Sequence, residues 1–344
     1  MENQPSHARP GARNLITDIL GLKVGQAQDP RARTGVTVIL PDARAVCACD
    51  VRGGAPGTRE TDALSPENLV EAVDAVVLSG GSVYGLAAAD GAAAWLGARG
   101  RGYGLSPDPA VPVSPVIPAA ILFDLANGGD KAWGETPPYR ALGLAAVASA
   151  GEDFALGTAG AGYGAMAGAL KGGVGSASIF TGDGFGVGAL VAVNSFGAVT
   201  APGGRTFWAA PYEIAGEFGG LGSAGLAAAA EDWGLAKGPG ALRNTTIACV
   251  ATDVALTPAQ ARRVAIMAQD GLARAIRPVH APFDGDVVFA LSTARQPMPQ
   301  AADYTVARLG SLAADCLARA VARAAFEAAA WPDAPVECWR DLSA

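Results

Sequence analysis

The stretch ALRNTTIACVATD, residues 241–253, places an asparagine and two threonines directly before an apolar run. As a short motif, Asn244-Thr245-Thr246 is an N-glycosylation acceptor, which is typical of a surface loop in a secreted protein. The residues that follow, 247–251, are instead typical of a buried strand. The two interpretations conflict, because a glycan needs an exposed loop and an apolar strand needs a core.

The composition of the 344-residue chain is that of a protein with a large core. Half of the residues are hydrophobic and only 17% are charged, while Gly (46) and Pro (23) are abundant. This mixture favours tight turns and close backbone approaches over disorder. The net charge is −7, and no cluster of Lys and Arg forms a phosphate-binding stripe, so nucleic acid is not an expected partner.

Neither the first residues nor the apolar runs of the sequence predict a membrane or secretory protein. Residues 1–14 lack the apolar centre of a signal peptide, and no apolar run is long enough to cross a bilayer without Gly, Pro or charge. We therefore expect a cytoplasmic protein that binds no membrane, which counts against glycosylation at Asn244.

The cysteines do not predict a metal centre. The pair Cys47 and Cys49 has no second pair at zinc spacing, and both histidines lie far from it in sequence. Cys47, Cys249 and Cys316 stand in apolar or helical runs, where cysteine acts as a small core residue. We expect no metal and no other cofactor.

The order of the expected elements indicates one layered domain, 15–344, after a disordered tail, 1–14. Strands are expected at 35–40 and 45–49 (a hairpin), 75–78, 177–180, 187–194, 198–200, 247–251 and 286–292, and helices from 65 and over 83–96, 140–149, 221–233, 257–276 and 302–330. The elements occur in blocks and do not alternate regularly, which favours antiparallel sheets with helices packed outside them.

The segment VPVSPVIPAAILFDL, 111–125, is strand-like but contains three prolines. Proline removes a donor from a strand ladder, so this segment should lie at a sheet edge or line a cavity.

Three other motifs have both a structural and a functional interpretation. The turn SGGS, 79–82, could present a serine nucleophile or bind an anion, but a Ser-His-Asp triad would have to use His280. The glycine loop at 160–164 resembles a dinucleotide loop with the wrong spacing, so a tight turn is favoured. Asp284-Gly285-Asp286 is typical of a turn, or of a carboxylate pair that holds an amine or a proton.

The chemistry of threonine offers an explanation of the opening stretch. A Thr hydroxyl needs a base to act as a nucleophile, and the α-amino group of the same residue, with a pKa near 8, can serve. That amino group exists only if the preceding bond is cut. We therefore hypothesise that the Thr245 hydroxyl attacks the Asn244 carbonyl, forms an ester that hydrolyses, and so leaves a new N-terminus on a buried strand.

Several stretches in order carry a resemblance to a known family. They are LSGGSVYGLAAADGAAAWL (78–96), VPVSPVIPAAILFDL (111–125), VAVNSFGAV (191–199), RNTTIACVATD (243–253) and LTPAQARRVAIMAQDGLARAIRPVHAPFDGDVVFALST (256–293). From about residue 15 onward the chain resembles the L-aminopeptidase/D-amidase-esterase family of self-processing N-terminal-nucleophile hydrolases. That family includes β-aminopeptidases and the endo-type nylon-oligomer (6-aminohexanoate) hydrolases, and the Asn-Thr pair is most similar to the latter.

The resemblance implies an α/β fold of the α+β type, a four-layer αββα sandwich similar to that of N-terminal-nucleophile hydrolases. It implies autocleavage into an α fragment, 15–244, and a β fragment, 245–344, with Thr245 as the nucleophile freed after Asn244. It also implies a homo-oligomer, a tetramer or larger, that acts on a small peptide or amide substrate.

The remaining site residues also follow from the resemblance. Asn194 would donate to the carbonyl oxygen in an oxyanion hole. Lys171 would lie near the Thr hydroxyl, where it would lower the pKa of that hydroxyl or polarise the cleaved carbonyl. Asp284 and Asp286 would anchor the new α-amino group and the threonine. Alone, Lys171 and Asn194 would be a surface lysine and a strand-end asparagine.

One departure bears on the substrate. The aminopeptidase members carry a Glu near the proline-rich segment that captures the free amine of the substrate, whereas this chain has Ala119 and Ala120 there, and only Asp124 is acidic. This favours an amidase that cleaves internal bonds, as nylon-oligomer hydrolases do. The alternatives are an aminopeptidase, β-aminopeptidase or D-esterase that requires a free amine, with Asp124 or another acidic residue replacing the Glu, and a non-catalytic small-molecule binding protein.

Overall fold

The computed structural model describes residues 8–224, 226–240 and 244–343. The strands are β1 Leu22–Asp29, β2 Thr34–Pro41, β3 Ala45–Val51, β4 Thr58–Arg59, β5 Ala72–Val73, β6 Val76–Ser79, β7 Ala119–Ile121, β8 Met166–Ala167, β9 Leu170–Lys171, β10 Gly173–Phe180, β11 Gly186–Asn194, β12 Thr245–Val254 and β13 Val287–Gln296. The α-helices are α1 Ala88–Gly97, α2 Tyr139–Ala148, α3 Pro258–Ala275 and α4 Ala302–Phe326.

Two mixed sheets form the centre of the fold. A five-stranded sheet has the order β1-β2-β6-β7-β4, and a six-stranded sheet has the order β10-β11-β12-β13-β3-β5. Most neighbours are antiparallel, but β6 and β7 run parallel, and so do β12 and β13. The strands β8 and β9 form a separate two-stranded ribbon.

Three apolar clusters separate four layers, with α1 and α2 on the five-stranded sheet and α3 and α4 on the six-stranded sheet. Representative members are Ile39 and Phe289 between the sheets, Val77 and Leu96 under α1 and α2, and Val250 and Leu317 under α3 and α4. Because β12 is buried on both faces, its central residues, 247–251, are all apolar and do not alternate with polar ones. The αββα sandwich expected from the resemblance is confirmed.

Local sequence explains two helix features. Thr257 caps α3, since its Oγ1 accepts the Gln260 N–H at 3.3 Å while the Gln260 side chain accepts the Thr257 N–H at 2.9 Å. The expected capping box is thereby confirmed. In α1 and α2, a Cβ at Gly91 would lie 2.0 Å from the Arg140 carbonyl oxygen, so only glycine allows these helices to approach so closely.

The expected hairpin of 35–40 with 45–49 is wrong. Both strands exist, but β2 pairs with β1 and β6 in one sheet while β3 pairs with β13 in the other. The residues between them carry the chain from one sheet to the other. From sequence, a short turn between two apolar strands predicts a hairpin. In the structure the two strands instead pair with strands of different sheets.

Two expected helices are also wrong. Residues 65–71 form turns and bends before β5, and Leu69 is 75% exposed, so this segment has no buried apolar face to stabilise a helix. Around 221–233 the described residues form turns and loops and are mostly exposed. Residues 198–200 are likewise not a strand, since only isolated bridges join Ala198 to Arg277 and Thr200 to Phe207.

The start of the described chain lies against the six-stranded sheet. Arg9 pairs with Phe180 at the end of β10, and the Gly11 N–H donates to Ser178 Oγ at 3.0 Å. Residues 8–14 of the expected disordered tail therefore have defined contacts, and residues 1–7 lie outside the described ranges.

Two further features concern partners. No α-helix within the described ranges is long and apolar enough to cross a membrane. Across the same residues, no group of three or more His, Cys, Asp or Glu side chains is arranged to hold a metal ion. All five cysteines are buried and free.

Candidate active site

The six-stranded sheet brings the ends of three chain segments together around Thr245. Thr245 is the first residue of β12 and is buried. It lies opposite Asn194, the last residue of β11, in the antiparallel register. On its other side, Asn244 forms a parallel bridge with Asp284, just before β13. Adjacent strands of one sheet therefore place four of the six residues named from sequence next to one another.

The peptide bond before Thr245 is held from two sides. The Asn244 carbonyl oxygen accepts the Gly285 N–H at 3.0 Å, and the Thr245 hydroxyl donates to the same oxygen. The Asn244 N–H donates to the Phe283 carbonyl at 3.3 Å. A hydroxyl beside a carbonyl whose oxygen already accepts a backbone N–H can attack that carbonyl, because the negative charge that develops is stabilised in place.

Gly285 is required at this contact. A Cβ built on Gly285 would lie 2.9 Å from Thr245 Oγ1 and 2.7 Å from the Ala55 carbonyl oxygen. From sequence, Asp284-Gly285-Asp286 predicts only a turn or a carboxylate pair. Its sequence does not indicate that the Gly285 N–H donates to the Asn244 carbonyl.

The two carboxylates around Gly285 both accept backbone N–H groups, one of them from the residue after Thr245. Asp286 Oδ1 accepts the Thr246 N–H at 2.8 Å, and its Oδ2 lies 2.8 Å from His280 Nδ1. Asp284 accepts the N–H groups of Ala281 and Phe196 at 3.2 and 3.4 Å. Burial raises the pKa of Asp284 to about 6, and the neighbouring Asp286 carboxylate adds to that rise.

The amide of Asn194 is fixed in one orientation. Its Oδ1 accepts the Met166 N–H at 2.9 Å, and its Nδ2 donates to the Phe123 carbonyl at 2.9 Å. Because Oδ1 accepts the Met166 N–H, the orientation of the amide is fixed, and Nδ2 carries a second hydrogen beyond the one that it donates to Phe123. This arrangement suits the oxyanion-hole role expected for Asn194.

Lys171 is buried, but its contacts differ from those expected. Its ammonium donates to the carbonyls of Gly162, Ala165 and Gly172 at 3.3, 2.9 and 2.7 Å, which uses all three of its hydrogens. Burial lowers its pKa to about 7. The expected contact with the Thr245 hydroxyl is not among these bonds. Lys171 instead binds the carbonyls of the glycine loop 160–165. The residue after this loop, Met166, donates the N–H that orients Asn194.

A second lysine, which sequence reasoning missed, lies beside Asn244. Lys237 Nζ donates to the Asn244 side-chain oxygen at 2.8 Å, and the Lys237 N–H donates to the Phe196 carbonyl at 2.9 Å. Burial lowers the pKa of Lys237 to about 7, and Asp284 opposes part of that change. The residue stands in a glycine-rich segment without a recognisable motif, so only the fold shows its proximity to Asn244.

A cavity of about 540 Å³ opens beside these groups. Its walls include Phe123, Asp124, Met166, Asn194, Lys237 and Asn244. This is large enough for a small peptide or amide. The proline-rich segment 111–125 thus contributes to a cavity wall, as expected, although only its part in β7 is a strand.

Asp124 belongs to this wall and is held by the SGGS turn. Its two carboxylate oxygens accept the Gly81 N–H and the Thr34 hydroxyl, both at 2.7 Å, and burial raises its pKa to about 6. The turn thus binds a carboxylate of its own chain. Since His280 binds Asp286, these contacts give no support to a triad built on the serines of the turn.

Comparison with known families gives the context of this site. The family model described as Peptidase family S58 matches residues 14–334. The chain belongs to peptidase family S58. It is accordingly a hydrolase of peptide or amide bonds, and the alternative of a non-catalytic binding protein is not supported.

Relatives of this S58 member carry related names. A Mycobacterium tuberculosis protein named as an uncharacterized aminopeptidase is 46% identical over 96% of this chain and 98% of its own length. A 6-aminohexanoate-oligomer endohydrolase of Kocuria sp. is 28% identical over 92% of this chain and 87% of its own.

A solved structure supports the fold of the S58 member. The L-aminopeptidase D-Ala-esterase/amidase of Ochrobactrum anthropi, described as a variant of the Ntn hydrolase fold, superposes with a TM-score of 0.69. It is 22% identical and covers 96% of this chain and 90% of its own. The fold is therefore that of N-terminal-nucleophile hydrolases.

Proposed function

We propose that this S58 hydrolase cuts its own chain between Asn244 and Thr245 and then uses Thr245 as an N-terminal nucleophile. Its substrates are the amide bonds of small peptides or amide oligomers. The observation that carries the proposal is the carbonyl of Asn244, which accepts the Gly285 N–H at 3.0 Å while the Thr245 hydroxyl lies against it.

Self-cleavage proceeds in two balanced steps. Thr245 Oγ bonds to the Asn244 carbonyl carbon as the hydroxyl loses its proton, and the charge on the carbonyl oxygen is stabilised by the Gly285 N–H. The bond from that carbon to the Thr245 nitrogen then breaks as the nitrogen takes up the proton that the hydroxyl lost. Water then hydrolyses the resulting ester, which leaves a carboxylate on Asn244 and restores the Thr245 hydroxyl.

Turnover of substrate uses the group that cleavage creates. The free α-amine of Thr245 takes the proton from its own hydroxyl, and Asn194 Nδ2 donates to the substrate carbonyl oxygen. Asp284 and Asp286 hold the protonated amine by charge. Thr245 and Asn194 lie at the ends of buried strands and the two aspartates lie directly before β13, so little reorganisation is needed before reaction.

The mass of the denatured protein tests self-cleavage. We expect two fragments that meet between Asn244 and Thr245, an intact chain for Thr245→Ala, and cleavage retained in Thr245→Ser because serine keeps the hydroxyl. A wild-type chain that stays intact after long incubation would contradict the proposal.

A second candidate is an aminopeptidase that requires a free substrate amine. The Asp124 carboxylate in the cavity wall supports it, as does the name of the Mycobacterium tuberculosis relative. Matched substrates with free and N-acetylated amines separate the two modes. Hydrolysis of both forms favours an amidase for internal bonds, and loss of turnover on acetylation favours the aminopeptidase.

We also propose a homo-oligomer for this chain. Val83 and Tyr84 at the start of the α1 layer are 66% and 47% exposed, which supports an interface on that side. Light scattering coupled to gel filtration should give a mass of several protomers, and a monomer at micromolar concentration would contradict this.

A further inference from the structure

The ester formed during self-cleavage is chemically an acyl-enzyme. Its acyl group is the residue before Thr245, and its alcohol is the hydroxyl that would accept the acyl group of any substrate. The site that holds the Asn244 side chain in the uncut chain therefore corresponds to the site for the acyl residue of a substrate. This step rests on the proposed function of Thr245.

The side chain of Asn244 lies against a lysine at the edge of the cavity. Lys237 Nζ donates to the Asn244 Oδ1 at 2.8 Å. Partial burial favours the neutral form of Lys237, whereas the neighbouring Asp284 carboxylate favours the charged form. A partly buried lysine so placed favours an oxygen acceptor, because a donor that is withdrawn from water and left unpaired is unfavourable.

Lys237 is fixed independently of the bond that is cut. Its N–H donates to the Phe196 carbonyl at 2.9 Å, and two residues earlier the Leu235 carbonyl accepts the Ala169 N–H at 2.7 Å. Phe196 in turn packs edge-on against Phe283, with ring centroids 4.7 Å apart. Cleavage after Asn244 breaks none of these contacts, so Lys237 keeps its place when Asn244 departs.

We propose that Lys237 selects the acyl residue of the substrate and favours residues with an oxygen acceptor on the γ-carbon, namely asparaginyl and aspartyl amides. Leucine has nearly the same shape as these side chains but no acceptor, so it would leave the Lys237 donor unpaired. An unpaired buried donor lowers the rate for such a substrate by about 10- to 100-fold.

The experiment compares kcat/KM for the p-nitroanilides of Asn, Asp and Leu, each in free and N-acetylated form. Wild-type enzyme should prefer Asn and Asp over Leu by about tenfold or more. Lys237→Met keeps the length of the side chain and removes the donor, so it should bring the ratio close to one. Lys23→Met is the matched control, since Lys23 is a half-exposed lysine that pairs with Asp42 outside the site, and it should keep the wild-type ratio.

The rate of self-cleavage gives a second test of the role of Lys237, and this test needs no added substrate. Asn244→Asp should keep the rate of self-cleavage within a few-fold, and Asn244→Leu should slow it by about tenfold or more. In the Lys237→Met background these two variants should cleave at similar rates.

The outcomes separate two failures. A cleaved, active enzyme with no preference for Asn or Asp, or with a preference that survives Lys237→Met, overturns the role of Lys237 and leaves the proposed function intact. If no anilide is hydrolysed, equal cleavage of Asn244→Asp and Asn244→Leu overturns it in the same way. A wild-type chain that never cleaves refutes the proposed function and this inference together.

Discussion

Replacing Asp284 by asparagine should change how the stability of the fold depends on pH. Asp284 as a residue is 2% exposed, and burial raises the pKa of its carboxyl group from 3.8 to about 6. Between these two pKa values the folded chain holds a proton that the unfolded chain has lost. The group therefore stabilises the fold fully below pH 3.8, and this contribution is lost as the pH rises through about 6.

The size of the effect follows from the two pKa values. Between about pH 4.5 and pH 7, the parent chain should lose about 2 kcal/mol of unfolding free energy through this one group. The asparagine that replaces Asp284 does not titrate, so the variant lacks this loss. Asp124 titrates in the same range, but it is present in both proteins and cancels in their difference.

Urea unfolding at both pH values, in a Thr245→Ala background, measures this difference. The background keeps each protein as one chain, so that the two transitions are comparable. The unfolding free energy of Asp284→Asn relative to its parent should be about 2 kcal/mol higher at pH 7 than at pH 4.5. Any hydrogen bond of Asp284 that the asparagine cannot make lowers the unfolding free energy of the variant by the same amount at pH 7 and at pH 4.5. A difference that stays constant with pH would refute the reasoning.

Other substitutions separate the roles of the groups around the threonine. Gly285→Ala should slow self-cleavage by about tenfold or more, because its Cβ would lie 2.9 Å from Thr245 Oγ1; timed mass spectrometry measures the rate. Asn194→Ala should lower kcat by about 10²- to 10³-fold with little change in KM, as the loss of an oxyanion donor does. Lys171→Met should lower the unfolding free energy by about 3 kcal/mol or more, since three buried carbonyls lose their donor, and thermal unfolding would show it. A Lys171→Met chain of normal stability but no self-cleavage would instead assign it a direct catalytic role.

Sequence patterns predicted most of the long elements of this fold, because each buries a continuous apolar face. The capping box at Thr257 and the apolar run after Thr246 correspond to α3 and β12. The sequence did not predict which strands pair with each other. Strands β2 and β3 are both apolar and adjacent in the chain, and only the packing of the two sheets decides that they separate.

Those residues of the candidate site were predictable whose polar side chains stand next to an apolar run, because few structural roles place a polar residue there. An Asn-Thr pair at the mouth of a buried strand is one such case, and the structure places Asn194 and Asp284 beside it. Lys171 and Lys237 show the limit. Both are lysines in glycine-rich segments, and their sequence neighbourhoods do not reveal that one holds a loop while the other reaches Asn244.

The position of β12 and β13 within the six-stranded sheet has a consequence for the gene. Both strands lie in the part of the chain that begins at Thr245, yet β12 pairs with β11 and β13 pairs with β3, which precede that residue. A cut before Thr245 therefore leaves two polypeptides that share one sheet, because β12 and β13 of the second lie between β11 and β3 of the first. Each polypeptide alone would expose the strand edges that the other covers. Two separate reading frames for 1–244 and 245–344 should yield soluble enzyme only when they are translated in the same cell.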